Sequence, residues 1–307
     1  MEKKIYIVIA VFNRLKFTKD CLDSLRKQSY QNLQVIVVDD GSTDGTYQFL
    51  KDNYPEIIIL QGDGNLWWAA ATNLGVKKAL ELSSSTADYI LTLNNDLVVD
   101  RDYLEQLIYV AEQEKPCIVG SVSVNIKNDS KVVFAGLKWN KITAKYSKPK
   151  EFTECYNELQ SHNLFIGSDL LPGRGTLIPI GLFKQIGLFD EKNFPQYGAD
   201  DDYSLRSRKF GLKLLVATKA VVKSYVEETG LRSVNGIHEP QKKVVHLRES
   251  FSSIKSVTNL SIRYRWAKKH TPIPPLYFLF DFMRVVHSFY FKKKTIPKIS
   301  ILVSKSA

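Results

Sequence analysis

Near its start the chain carries an apolar run, Ile5-Tyr6-Ile7-Val8-Ile9-Ala10, with no polar alternation, and comparable runs return at Gln34 to Val38, Ile57 to Leu60 and Asp88 to Leu93. A strand buried on both faces of a sheet reads this way, because side chains on either face meet a hydrophobic layer. Between the runs lie segments of helical period: Phe17, Cys21, Leu22 and Leu25; a shorter one at Tyr47, Phe49 and Leu50; and a long one from Leu66 to Leu82, interrupted only by Gly75. Repeated strand-helix units predict an α/β protein with a mostly parallel sheet and helices on both faces.

Each run ends in a polar cluster: Val11 to Arg14, Asp39 to Thr46, Gly62 to Asn65, and Asn94-Asn95-Asp96. These clusters fall at the carboxyl ends of the strands, where open α/β sheets bind ligands. After a helical segment with Leu104, Leu107, Ile108 and Ala111 the pattern loosens, and Ile118 to Val124 and Lys131 to Phe134 are predicted as antiparallel additions. Leu276 to Phe291 is rich in Phe, Tyr, Leu and Val, is broken by Asp281, Arg284 and His287, and ends in three lysines. It predicts a helix that either docks on the core or lies in a membrane interface.

Composition narrows the class. With 307 residues, 44% hydrophobic and 24% charged, the chain can bury a full core and is not disordered throughout. No stretch reaches the roughly 18–20 apolar residues that span a bilayer, and the N-terminal run is too short for a signal peptide and lacks a cleavage site. Cys21, Cys117 and Cys155 are far apart and lack metal-ligand spacing, so they are predicted to be reduced and buried in a cytosolic protein. Charge is regional: residues 1–202 hold 22 Lys/Arg against 27 Asp/Glu, net −5, and residues 203–307 hold 21 against 5, net +16. A basic C-terminal third suits an anionic membrane surface or phosphate-bearing substrates; without a nucleic-acid module, no nucleic-acid partner is expected.

Candidate chemistry sits in the acidic clusters. Asp39 and Asp40 before a Gly-Ser turn suit hydrogen bonding to a base and ribose, or simply form a turn. Asn94-Asn95-Asp96 offers the hard oxygen ligands that Mg2+ or Mn2+ prefers. Asp200-Asp201-Asp202, placed before a helix, either caps its positive end or contains a general base. Gly173-Arg174-Gly175 lets backbone approach a ligand closely, with Arg174 able to pair with phosphate.

In combination, Val11-Phe12-Asn13-Arg14, VIVVDDGSTDGT (35–46), GNLWWAAATNLGV (64–76), LNND (93–96), GRGTLIP and IGLFDE (173–191) and YGADDDYSLRSRKFG (197–211) closely resemble the family-2 glycosyltransferases of the GT-A type. Within that family they are similar to bacterial rhamnosyltransferase-like and galactofuranosyltransferase-like members. The resemblance covers about residues 4–215. It implies a GT-A (Rossmann-like) domain over 1–225, with a nucleotide-binding half at about 1–100 and an acceptor half at about 101–225, followed by a basic, aromatic-rich, helical extension over 226–307.

It also implies a nucleotide-sugar donor, Mg2+ or Mn2+, and an inverting single displacement. Carried over, Val11, Asn13, Arg14, Asp39, Asp40, Ser42, Asn65, Asn95 and Arg174 would bind the donor, Asp96 and Asn94 the metal, and Asp200 would be the base, with Asp201 and Asp202 as alternatives. Some related enzymes add a metal-binding histidine where this chain reads Ala220 to Tyr225 without one; His238 and His246 are the nearby substitutes. The implied acceptor is a glycan or lipid-linked glycan of cell-surface polysaccharide synthesis. Residues 270–307 would touch an anionic membrane at the inner face of the cell membrane. Asn94 and Ala199 replace acids of the family pattern, so the alternative is a catalytically silent binding or scaffold protein.

Overall fold

The computed structural model describes residues 3–225 and 249–290. The N-terminal part alternates as the hydrophobic pattern predicts: β1 (Ile5–Val11), α1 (Leu15–Leu25), β2 (Leu33–Asp39), α2 (Thr46–Asn53), β3 (Ile58–Gln61), α3 (Trp67–Leu82) and β4 (Tyr89–Asn94). There follow β5 (Leu97–Val99), α4 (Tyr103–Gln113), β6 (Cys117–Asn125), β7 (Asn128–Phe134), the short pair β8 (Lys138–Trp139) and β9 (Tyr146–Ser147), α5 (Tyr156–His162) and β10 (Phe165–Gly167). Then come β11 (Thr176–Pro179), α6 (Ile180–Ile186), α7 (Ala199–Lys209), β12 (Lys213–Ser224), α8 (Leu260–His270) and α9 (Pro274–Tyr290).

The main sheet runs β10-β12-β6-β11-β4-β1-β2-β3. Strands β3, β2, β1 and β4 are parallel, as are β6 and β12, whereas β11 runs antiparallel between β4 and β6. The antiparallel expectation for 118–134 thus holds for β7 against β6 but not for β6 against β12. Register pairs Ala10 with both Val38 and Asn94, and Asp39 with Val11 and Gln61, so the polar clusters emerge along one sheet edge.

The unbroken apolar runs are explained by cover on both faces. Tyr6, Val8 and Ala10 pack with α3, while Ile5, Ile7, Ile9 and Val11 pack with α1 and α4. Gly75 is needed in mid-helix, because a Cβ there would lie 2.4 Å from Val8 Cγ1 and hold α3 off the sheet.

Two sequence expectations need correction. Cys155 is exposed, since it lies just before α5 rather than under a strand; Cys21 and Cys117 are buried. Asp200 to Asp202 lie inside the first turn of α7, which already begins at Ala199, rather than before the helix. The described part of the C-terminal segment packs on the core: Trp266 and Tyr277 are buried and meet Trp139 edge-on at 5.8 and 5.9 Å between ring centroids.

Candidate active site

At the β1 and β2 ends, two loops brace each other. Asn13 and Arg14 take left-handed backbone angles (φ 56° and 64°), turning the chain so that the Asn13 N–H donates to Ser42 Oγ at 2.7 Å. The Thr43 N–H donates to Asn13 Oδ1 at 2.8 Å, and the Ser42 N–H to Asp39 Oδ1 at 3.0 Å. Val11 ends β1 with its carbonyl accepting from the Asp40 N–H.

Asp40 is used internally. Its carboxylate accepts from the N–H groups of Gly64, Leu66 and Trp67 at 2.9, 3.0 and 3.2 Å, which ties the 62–67 loop and the start of α3 to β2. Asn65 stands exposed on that loop. Asp39, with Oδ2 free of hydrogen bonds among the described residues, is therefore better placed for a ligand than Asp40.

At the end of β4 the three polar residues separate. The Trp68 indole N–H donates to Asn94 Oδ1 at 3.3 Å. Asn95 is fully buried and donates to Thr18 Oγ1 of α1 at 2.9 Å, which holds α1 against the strand end, while its Oδ1 has no hydrogen-bond partner. Asp96 is buried; its Oδ2 lies 3.5 Å from Arg14 Nη1 and has no hydrogen bond. Burial pushes its pKa up, while Arg14 and Arg174 pull the other way.

Arg174 joins this station to the next. It is buried, its Nε has no hydrogen-bond partner, and burial lowers its pKa to about 10 against the opposing pull of Asp96 and Asp200. Its loop is pressed against α3: a Cβ on Gly173 would lie 2.1 Å from the Trp68 ring. That closeness lets the Gly173 N–H donate to Asp200 Oδ2 at 2.8 Å, while the Asp201 N–H donates to Asp200 Oδ1 at 2.9 Å.

The three consecutive aspartates have three different surroundings. Asp200 is buried beside Arg174; burial raises its pKa, opposed by its backbone donors and Arg174. Asp201 is half-buried on a cavity that it shares with Arg174 and Asp200. Asp202 is fully buried and binds Arg206 Nε at 2.8 Å, Lys269 Nζ at 2.7 Å and His270 Nε2 at 2.8 Å. A carboxylate only accepts, so His270 carries its proton on Nε2.

As a cation site, Asp96 with Asn94 provides hard oxygens, one of them a buried carboxylate oxygen lacking a hydrogen bond. No group of three His, Cys, Asp or Glu that could hold a metal occurs among the described residues. The pair fits an ion whose remaining ligands are substrate phosphates and water. His238 and His246 lie outside the described residues, and Tyr225, at the end of the histidine-free stretch, donates to Asp20 Oδ2 at 2.9 Å.

Trp68, Trp266 and Arg263 were not among the residues singled out from the sequence. The Trp67-Trp68 pair opening a helix straight after a polar strand-end loop was the available signal for the first. The other two come from a segment with no motif of its own.

Solved structures of the same architecture define the fold as GT-A. GalNAc-T7 with UDP, GalNAc and Mn2+ superposes with a TM-score of 0.59 at 15% identity, over 94% of this chain and 58% of that one. A mannosyltransferase from Pyrobaculum calidifontis in complex with GDP-Man and Mn2+ gives 0.53 at 16%, over 94% and 70%. The family model for Glycosyl transferase family 2 matches residues 6–185, and the chain belongs to that family.

Among curated relatives, GlyG of Streptococcus pneumoniae serotype 4 is 28% identical over 39% of this chain and 40% of its own. An uncharacterized glycosyltransferase of Rickettsia typhi is 30% identical over 60% and 53%. A UDP-N-acetylglucosamine–dolichyl-phosphate N-acetylglucosaminyltransferase of Methanococcus voltae is 29% identical over 49% and 55%. The matched stretch thus spans about half or less of these relatives' own lengths.

Proposed function

We propose that the chain is an inverting glycosyltransferase. It moves a sugar from a nucleotide-diphosphate donor, dTDP-rhamnose in the first instance and otherwise a UDP-sugar, to a glycan acceptor of bacterial cell-surface polysaccharide. The observation that carries this is the placement of Arg174 between Asp96 at the donor edge and Asp200 on the cavity.

Asp39 and the braced loops at Val11 to Arg14 and Ser42 receive the nucleotide. Arg14 and Arg174 face the diphosphate with fixed positive charge, where negative charge grows as the sugar leaves. Asp200, held by the Gly173 and Asp201 N–H groups, takes the proton of the acceptor hydroxyl as its oxygen attacks the anomeric carbon from the side opposite the diphosphate. A divalent ion at Asp96 and Asn94 would act as a Lewis acid on the leaving diphosphate.

The test is release of nucleoside diphosphate from UDP-, dTDP- and GDP-sugars, each with Mn2+, Mg2+ or a chelator. Turnover of at least one donor, reduced at least about a hundredfold by chelation, is expected. No turnover of any donor would overturn the assignment, and turnover indifferent to the chelator would remove the ion.

A membrane location fits the outer face of α9. Tyr277, Asp281 and Val285 face the core, whereas Leu276, Leu279, Phe282 and Met283 stand exposed, as does the preceding Ile273. No helix among the described residues is long and apolar enough to cross a membrane; the contact proposed for this segment is peripheral, through the exposed apolar side chains of α9. Vesicles containing anionic lipid should retain the wild-type chain, and the pair Leu279→Glu and Met283→Glu should cut that retention at least about fivefold. Equal retention would exclude this face.

A further inference from the structure

Trp266, Lys269 and His270 are three and four positions apart on α8, so they share one face of that helix. That face is laid against residues 190–202, the stretch that leads into α7 and carries Asp200. Trp266 meets the Phe194 ring edge-on at 5.9 Å between centroids. Its ring also lies 4.0 Å from where a Cβ on Gly198 would stand, and Gly198 is the residue that turns the chain into α7 with φ 88°. Lys269 Nζ bridges both ends of the stretch, 2.6 Å from Asp190 Oδ2 and 2.7 Å from Asp202 Oδ1. His270 Nε2 adds a second contact to Asp202 Oδ1 at 2.8 Å.

His270 is set up as a neutral donor. Its ring is buried against Trp266 at 4.5 Å between centroids, and its Nδ1 has no hydrogen-bond partner among the described residues. A protonated ring would therefore bury an N–H with nothing to accept it. Burial, with Lys209 and Lys269 nearby, holds its pKa below the ordinary 6.5 against the pull of Asp202. The charge of Asp202 is balanced instead by Lys269 and by Arg206, which also grips the Ile186 and Leu188 carbonyls at 2.6 and 2.7 Å.

Asp202 and Asp200 share the first turn of α7, and the Asp202 N–H closes that turn by donating to the Gly198 carbonyl at 2.8 Å. The Asp200 carboxylate is aimed by the Gly173 N–H, which comes from another loop, and by the Asp201 N–H, which belongs to the turn itself. Any movement of the turn shifts the carboxylate against Gly173. We infer that α8 is a clamp on the base: His270 and Lys269, acting through Asp202, are positioning residues that fix the first turn of α7 and so set where the Asp200 carboxylate points. The inference rests on the role given to Asp200 above and adds that a C-terminal helix outside the family match at residues 6–185 governs it. Lys269 has a second effect. Asp200, Asp201 and Asp202 repel one another, and Lys269 with Arg206 offsets the share of Asp202, as Arg174 opposes burial at Asp200.

The experiment uses His270→Ala, His270→Gln and Lys269→Met in the full chain, with kcat and donor KM corrected to the folded fraction by circular dichroism. A glutamine amide places an N–H close to where the imidazole Nε2–H stands. His270→Ala should lower kcat about tenfold with donor KM within about twofold, and His270→Gln should return kcat to within about threefold of wild type. Lys269→Met should move the acid-side fall of kcat to higher pH, because a less compensated Asp202 makes Asp200 harder to ionise. The Lys269 side chain is 32% exposed, so this variant serves even where His270→Ala fails to fold. Independently of turnover, the amide NMR signal of Gly173 should shift in His270→Ala and return toward its wild-type place in His270→Gln.

Unchanged kcat in folded His270→Ala would overturn the inference. So would equal losses in the alanine and glutamine variants, an unmoved pH profile in Lys269→Met, or a Gly173 signal that stays in place. If the wild type turns over no donor while the Gly173 signal moves and returns, the glycosyltransferase assignment falls and the clamp on Asp200 stands.

Discussion

Asp200→Asn is expected to lower sugar transfer about a thousandfold while nucleoside diphosphate binding stays within about twofold. A positioned general base contributes roughly 10²–10⁴ in rate, and a thousandfold corresponds to about 4 kcal/mol of barrier. The donor side should be spared, because Asp39 and the 11–14 and 39–44 loops are braced by their own hydrogen bonds and not by Asp200.

The substitution has a structural cost that must be separated from the chemical one. Both Asp200 oxygens accept backbone N–H groups, and an amide would set its own NH2 against one of them. About 1–3 kcal/mol of stability is at stake, so a melting curve accompanies the kinetics. Near wild-type transfer by a folded Asp200→Asn would reassign the base. Since burial raises the Asp200 pKa, the wild-type rate should fall on the acid side from above the ordinary carboxylate value of 3.8. A rate flat down to pH 4 would contradict that.

The second large effect is on stability. Asp202→Ala is expected to destabilise the protein by about 3 kcal/mol, because it removes a fully buried carboxylate from three partners and leaves the His270 Nε2–H unpaired, while Lys269 keeps Asp190 and Arg206 keeps the Ile186 and Leu188 carbonyls. Differential scanning calorimetry should show the loss, and a change under about 1 kcal/mol would mean that α8 is held elsewhere.

The same cluster makes stability acid-sensitive. Burial alone would raise the Asp202 pKa, but His270, Lys269 and Arg206 outweigh it and bring it to about 2. A folded-state pKa below the ordinary 3.8 means that this stabilisation is full above about pH 4 and is lost as pH falls toward 2. His270 acts in the same direction at higher pH: burial holds its pKa below the ordinary 6.5, so protonation on acidification favours the unfolded chain. In Asp202→Ala the lower step should disappear.

Much of the site was legible because strand ends announce themselves. An apolar run that stops in Asp39-Asp40 or Asn94-Asn95-Asp96 must place those groups at the sheet edge, whatever the helices do. Which member of each cluster faces a ligand was not legible. Asp39 and Asp40 are adjacent in sequence, yet one keeps a free oxygen and the other caps a loop and helix 24–27 residues away. Asn95 also ties the strand end to Thr18 of α1, a use that its place in the polar cluster did not announce. The run of three aspartates read as either a cap or a base. It holds a base candidate in Asp200, a cavity-facing acid in Asp201 and, in Asp202, an anchor for α8.

By itself the sequence determined the alternation of buried strands and helices, the sheet edge on which chemistry gathers, and the carboxylates available there, because these follow from local period and from where polarity interrupts it. Only the tertiary structure decided how those carboxylates divide their work, and that Arg263, Trp266, Tyr277 and Asp281 complete a cavity beside Asp200. The reason is range: hydrogen bonds such as Gly173 to Asp200 and His270 to Asp202 join residues 27 and 68 positions apart. No pattern within a strand or a helix records which distant group will arrive to fill or leave open a given oxygen.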